Sequence, residues 1–301
     1  MKRRWWLWPF VALVLVLSVR FALYFPWRTS WETLLDADLL ALAFAAILNL
    51  LSLALKAVGW QLLLRRLWPI RFRTAQAASF AGSAVNCVSI ALSGEAARMQ
   101  LASTWDGVPL ALGARSILAS RVTEAAALGV FLTGAGFFLA PAHRWRVLGA
   151  GVVLLAGAAL LFGQAPFLRR SREEITGGNG WRPADLTLPM LAAVLSWLLQ
   201  WATYHWVIVA SHVAVTPALS MLALILSNIG GILRLTPGNV GVVQGAVVLA
   251  LKPAGIPTAP ALAAGLALQA VQVLPVLALG LALLGRHGWR ELLRRRSTEP
   301  A

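Results

Sequence analysis

Charge is scarce in this 301-residue chain. Only 12% of residues are Asp, Glu, Lys or Arg, against about 25% in soluble domains. Acidic residues number 11, and no long polar stretch separates the apolar ones. That excludes a sizeable soluble catalytic domain. A single cysteine, Cys87, excludes an intrachain disulfide and any Cys-rich metal site. No His or acid partner stands at metal-ligand spacing. No G-x-S-x-G, P-loop or H-E-x-x-H motif is present, so neither hydrolysis, ATP use nor a cofactor is expected. What fills the chain is hydrophobic: 59% of residues and a mean hydropathy of +0.75. The expected class is an all-α integral membrane protein that is not an enzyme.

The net charge of +15 comes from 26 Lys and Arg. In a soluble chain it would suggest nucleic acid. Here most of it lies at the ends of apolar segments, which indicates topology and anionic headgroups. No nucleic-acid partner is expected. Arg65, Arg66, Arg71 and Arg73, then Arg169, Arg170, Arg172 and Arg182, then Arg290, Arg294, Arg295 and Arg296 mark cytoplasmic segments. The acidic loop around Glu32, Asp36 and Asp38 faces out. His143, Arg144 and Arg146 run against this pattern.

At about 20 apolar residues per crossing, full spans are expected at about 7–25, 39–63, 108–140, 146–163, 187–210 and 259–285. The first begins at Lys2-Arg3-Arg4 and is expected to remain uncleaved. Regions 75–103 and 217–256 are apolar but interrupted by Gly, Pro, Asn and Ser. Broken helices at membrane depth persist only where protein or a wet cavity covers their backbone. Both are therefore read as re-entrant helix pairs, one entering from each side. The chain is read as one transmembrane domain of two inverted-topology repeats, about 39–140 and 187–285, with helices 7–25 and 146–163 outside them. Both termini are placed in the cytoplasm.

Lys56, Glu95, Arg98, Arg121 and Glu124 interrupt these hydrophobic stretches. Each costs ~2.5–3.5 kcal/mol on insertion scales, so together on the order of 10–15 kcal/mol before pairing. They need partners or a polar cavity. The pattern returns in the second half with weaker polarity. Lys56 precedes Glu95 by 39 residues, as His205 precedes Gln244. Arg121 and Glu124 are three apart, as are Gln269 and Gln272. The charges have two readings: salt bridges that merely pin helices, or a site for a charged headgroup. Lys56 has a third, in which it snorkels to the interface. His205 reads either as a hydrogen-bonded helix residue or as a proton relay. The Pro237-Gly238-Asn239-Val240-Gly241 run reads as a mid-membrane break whose following helix aims N–H groups at a phosphate, with Arg234 adding a cation. It also reads as an ordinary surface loop.

The run from Asn86 through Gly94-Glu95-Ala96-Ala97-Arg98, then Arg121-x-x-Glu124, then Pro237-Gly238-Asn239-Val240-Gly241 resembles the lysylphosphatidylglycerol synthase transmembrane family. That family is flippase-like and includes the membrane half of the multiple peptide resistance factor. The resemblance covers roughly residues 39–285. It implies a two-repeat membrane fold with re-entrant helices that moves a lipid between leaflets of a bacterial inner membrane. Ile90 and Leu92 stand where the family usually has Pro and Arg, and Gln244 and Gln269 where it often has Glu and Arg. The aminoacyl-transferase half of such relatives is missing, so lipid synthesis is not expected. The expected substrate is an anionic or zwitterionic phospholipid, or a lipid-linked phosphate. The expected binding residues are Lys56, Asn86, Glu95, Arg98, Arg121, Glu124, Arg234, Gly238, Asn239, Gln244, Gln269 and Gln272. A homo-oligomer or a membrane enzyme would be the protein partner. Two other roles stay open: a scaffold for a separately encoded glycosyl- or acyltransferase, and an ion-coupled carrier of a small solute.

Overall fold

In the computed structural model, residues 28, 32, 35–89, 93–137, 141–164, 181, 183–231, 236 and 239–298 are described. The expected first span 7–25, Arg234 and Gly238 lie outside them. The described residues form helices and no strand. These are α1 (Leu39–Arg65), α2 (Phe72–Val88), α3 (Ser93–Asp106), α4 (Leu110–Gly136), α5 (Pro141–Gln164), α6 (Thr187–Ala210), α7 (Pro217–Gly231), α8 (Val242–Leu251) and α9 (Thr258–Thr298). Short 3-10 turns, Pro183–Leu186 and Lys252–Ala254, precede α6 and follow α8.

Four helices are long and apolar enough to cross a bilayer: Leu39–Arg65, Leu110–Gly134, Ala184–Ala210 and Thr258–Gly285. In the most apolar stretch of the first, only 17% of residues are buried inside the protein. Leu40, Ile47 and Leu51 point outward. A hydrophobic face that no protein covers is stable in lipid and a liability in water. The expected span 108–140 ends as a helix at Gly136. The expected span 146–163 falls within α5, whose apolar part is the shorter Val147–Leu160.

Neither interrupted region is one continuous helix. Each is two short ones: 17 and 14 residues in α2 and α3, 15 and 10 in α7 and α8. At 1.5 Å per residue even the longest spans about 26 Å, less than the ~30 Å hydrocarbon core. The chain thus runs long–short–short–long twice. In the first break Ser89 turns extended after α2, and its hydroxyl meets that of Ser93 across the gap. In the second, Gly241 caps α8 at φ +86°, a conformation that a side chain would strain. Its N–H donates to Gln244 Oε1 at 2.7 Å, satisfying one of the free donors at that helix start.

α1 and α6 form the spine. Ser52 Oγ donates to the Ser196 carbonyl at 2.9 Å. Gly59 lies against Pro189 and Ala192. At the other end the Asp38 N–H donates to the Ala210 carbonyl at 2.9 Å. Residue numbers rising on one helix therefore meet falling numbers on the other, so the pair is antiparallel. Asp38 also caps α1, its carboxylate accepting from the N–H groups of Leu40 and Ala41. The larger core, with Trp197, Tyr204, Leu224, Val247 and Leu268, joins α6 to α7, α8 and α9. A second core around Trp60, Leu64, Ala78 and Leu112 joins α1, α2, α3 and α4.

α2 and α3 approach closely at Gly82. A Cβ there would lie 2.6 Å from the Gly94 carbonyl oxygen and 3.1 Å from Arg98 Cβ. Because backbone cannot yield as a side-chain tip does, Gly82→Leu should destabilise the fold by about 1–3 kcal/mol. Thermal unfolding in detergent checks this, and an unshifted midpoint refutes the close crossing.

The far end of α3 is held by Asp106. Arg71 Nε donates to its Oδ1 at 2.7 Å and the Arg71 backbone N–H to its Oδ2 at 2.8 Å. Burial pushes this carboxyl up, but the hydrogen bonds from Arg71 and Thr74 more than offset that, leaving it below the usual range. A lowered folded pKa gives stability that is complete above the unfolded value, near pH 4, and lost as pH falls through the folded one. Because the Arg71 side chain is 73% exposed, the contribution is of order 1 kcal/mol. Asp106→Asn should therefore unfold earlier than the parent at pH 7, by a margin that is smaller at pH 3. A deficit that is the same at both pH values refutes the linkage.

Candidate functional site

Between the spine and the short helices lies a cavity of about 490 Å³, within the range of small-molecule sites. Both halves line it. α1 contributes Asn49, Ser52, Leu53 and Lys56, and α9 contributes Gln269, Gln272, Val273 and Val276. The two sets share one spacing, i, i+3, i+4, i+7, which puts each on a single helix face. α2 adds Ser83, Asn86 and Cys87; α3 adds Glu95; α4 adds Arg121. From the second half come Gln200 and Tyr204 of α6, Asn228 of α7, and Thr236 and Asn239 beside the second break.

An ionic cluster makes up the charged wall. Arg121 pairs with Glu95 from α3 and, at 3.3 Å, with Glu124 one turn along its own helix. Glu95 Oε2 also accepts from Asn86 Nδ2 at 3.4 Å, and Asn86 Oδ1 accepts from the Gly94 N–H at 2.8 Å. Asn86 thus ties the end of α2 to the start of α3. Glu124 Oε1 accepts from Ser120 Oγ at 3.0 Å. Lys56 Nζ donates to Gln200 Oε1 at 2.9 Å and lies 4.8 Å from the centre of the Trp197 ring. This ammonium turns inward, not toward the interface. Its hydrogen-bond partner is neutral.

Of the expected binding residues, Lys56, Asn86, Glu95, Arg121, Asn239, Gln269 and Gln272 line the cavity. Three others do not. Arg98, three residues beyond Glu95 on α3, stands outside the lining. Its guanidinium stacks 3.8 Å from the Trp60 ring, and two of its nitrogens are buried without a hydrogen bond. Glu124 stands behind Arg121 and borders a separate small void with Lys56 and Ser120. Gln244 is 1% exposed and is spent capping α8. His205 bonds Ser220 Oγ at 3.2 Å through Nδ1, as a helix residue with a local partner.

Asn49, Ser52, Ser83, Gln200, Tyr204, Asn228 and Thr236 carried no expectation from sequence. A signal existed for some of them. Asn49 and Ser52 precede Lys56 by seven and four residues, so a polar stripe runs down an otherwise apolar span. Gln200 and Tyr204 repeat it on α6.

Helices with lipid-facing apolar surfaces and a mixed-charge cavity inside define a multi-pass membrane protein with a buried polar site. The family described as Lysylphosphatidylglycerol synthase TM region matches residues 5–280, and the chain belongs to it. No curated protein and no solved structure matches the chain.

If Glu95 and Arg121 support each other, their losses should not add. A double-mutant cycle of Glu95→Gln and Arg121→Gln should give a coupling of about 0.5–3 kcal/mol in thermal or denaturant unfolding. Additive effects would mean that the two side chains act independently.

Proposed function

We propose that this protein moves a phosphate-bearing lipid headgroup across a bacterial plasma membrane without covalent chemistry. The observation that carries this reading is the cavity itself: about 490 Å³, lined from both halves of the chain, with Lys56 and Arg121 in its wall. A phosphate entering from lipid loses its hydration, and two preplaced cations replace it. The headgroup sits in the cavity while the tails stay in lipid.

The antiparallel packing of α1 against α6, and the twice-run order of long and short helices, support a reading as inverted repeats. On that reading the two broken regions are re-entrant pairs, the termini are cytoplasmic, and the halves rock about the site to expose it on alternate sides. Lipid gradient or membrane potential drives the net direction. Lys56 and Arg121 hold the phosphate; Glu95 and Asn86 hold Arg121 and α3 in place. Arg98, Glu124 and Gln244 keep the cluster and helix ends in order from outside the lining.

The test is scrambling of fluorescent phosphatidylglycerol in proteoliposomes. Lys56→Gln and Arg121→Gln should each slow it at least tenfold, the loss expected when a charged contact of about 1.5–3 kcal/mol is removed. Both variants must keep the parent's gel-filtration profile. Parental rates in both folded variants would remove the translocation role from this cavity.

A further inference from the structure

Resting on that reading, we infer that the cavity selects a polyhydroxylated phosphate headgroup of the glycerol, inositol or sugar class, and rejects a cationic one. The carboxylates are where this begins. Among the described lining residues, Glu95 supplies the acidic charge and Lys56 and Arg121 the basic. Both oxygens of Glu95 are engaged, one by Arg121 and one by Asn86. Glu124 is engaged by Arg121 and Ser120 and does not reach the cavity. An ammonium headgroup would meet Lys56 and Arg121, whose side chain is 47% exposed, while the two carboxylates that Arg121 holds are only 10% and 13% exposed. Nor is there an aromatic cage to hold a quaternary amine: the aromatic in the described lining is Tyr204.

The facing wall has a different character. Asn228, Thr236, Asn239, Gln269 and Gln272 contribute amides and a hydroxyl but no charge; Asn228 Nδ2 donates to the Leu224 carbonyl and Thr236 Oγ1 to the Val240 carbonyl, and both side chains keep an oxygen that accepts. A hydroxyl substrate needs a donor and an acceptor at each oxygen, and a carboxamide offers both. A wall built for hydroxyls also discriminates strongly against an analogue that lacks them, because its own groups would lose partners. Lys56, paired only with the neutral Gln200 Oε1 in its hydrogen bond, leaves positive potential for one phosphate. Phosphate at Lys56 and Arg121 and hydroxyls at the amide wall account for both sides of the cavity.

The purified protein is given an equimolar mixture of phosphatidylglycerol, phosphatidylethanolamine, lysylphosphatidylglycerol and phosphatidic acid, and bound lipid is read by native mass spectrometry. Phosphatidylglycerol should be retained at least tenfold over phosphatidylethanolamine and lysylphosphatidylglycerol, and severalfold over phosphatidic acid. The double variant Asn228→Leu, Gln272→Leu should lose the preference over phosphatidic acid while binding phosphatidic acid within twofold of the parent. Asn228→Leu alone serves if the double variant does not fold. Equal or better retention of lysylphosphatidylglycerol overturns the inference, as does a phosphatidylglycerol preference that survives loss of the amides. Selective retention without leaflet exchange in vesicles upholds the headgroup class and sinks the translocase. Exchange of all four lipids at one rate does the reverse. Thermal stabilisation by water-soluble glycerophosphoglycerol, without lipid retention, upholds the chemistry and moves its source from lipid to solute.

Discussion

A charge at membrane depth must be answered by another charge or by water, and much of this structure follows from that. Arg121 stands between two carboxylates that come from different helices, Glu95 on α3 and Glu124 on α4. Lose Arg121 and two largely buried carboxylates are stranded. The pairing therefore fixes where the short helix α3 begins relative to the long helix α4. Asn86 extends the same network back to α2 by bonding both Glu95 and the Gly94 backbone. Ion pairing thus joins the apolar core around Trp60, Ala78 and Leu112 in holding the first broken region together.

The second half solves the same geometric problem with neutral groups. Where α3 begins on a carboxylate held by arginine, α8 begins on a glycine capped by its own Gln244. A capped helix end needs no ion pair, and the cavity face of α9 carries Gln269 and Gln272 beside Val273 and Val276. One half thus presents charge to the interior and the other presents amides. This asymmetry between architecturally similar segments is what gives the cavity two chemically distinct walls.

Much of the fold was legible in the sequence because the bilayer imposes length and polarity together. Four expected spans correspond to the four long apolar helices, and both interrupted regions are pairs of short helices. The site was legible where a charge stood in an apolar run, as with Lys56, Glu95 and Arg121. Pairing was not. Spacing put Arg98 on the same face as Glu95, yet Arg121, 26 residues on, takes that carboxylate, and Arg98 finds the Trp60 ring instead. Local periodicity reports which residues share a face; it does not report which helix comes to lie opposite. The uncharged lining residues escaped for a related reason. Single Asn, Ser and Gln side chains are common within helices, and only their convergence from several helices marks them.

The antiparallel α1–α6 pair is fastened at several heights: Asp38 to Ala210, Ser52 to Ser196, Lys56 to Gln200, and Gly59 against Ala192. His212 adds a further link to the Asp36 carbonyl at 2.8 Å. Two rods bolted at so many levels turn as one axle. Lys56, seated on that axle, is thereby held at a fixed height in the cavity wall, between Gln200 and the Trp197 ring.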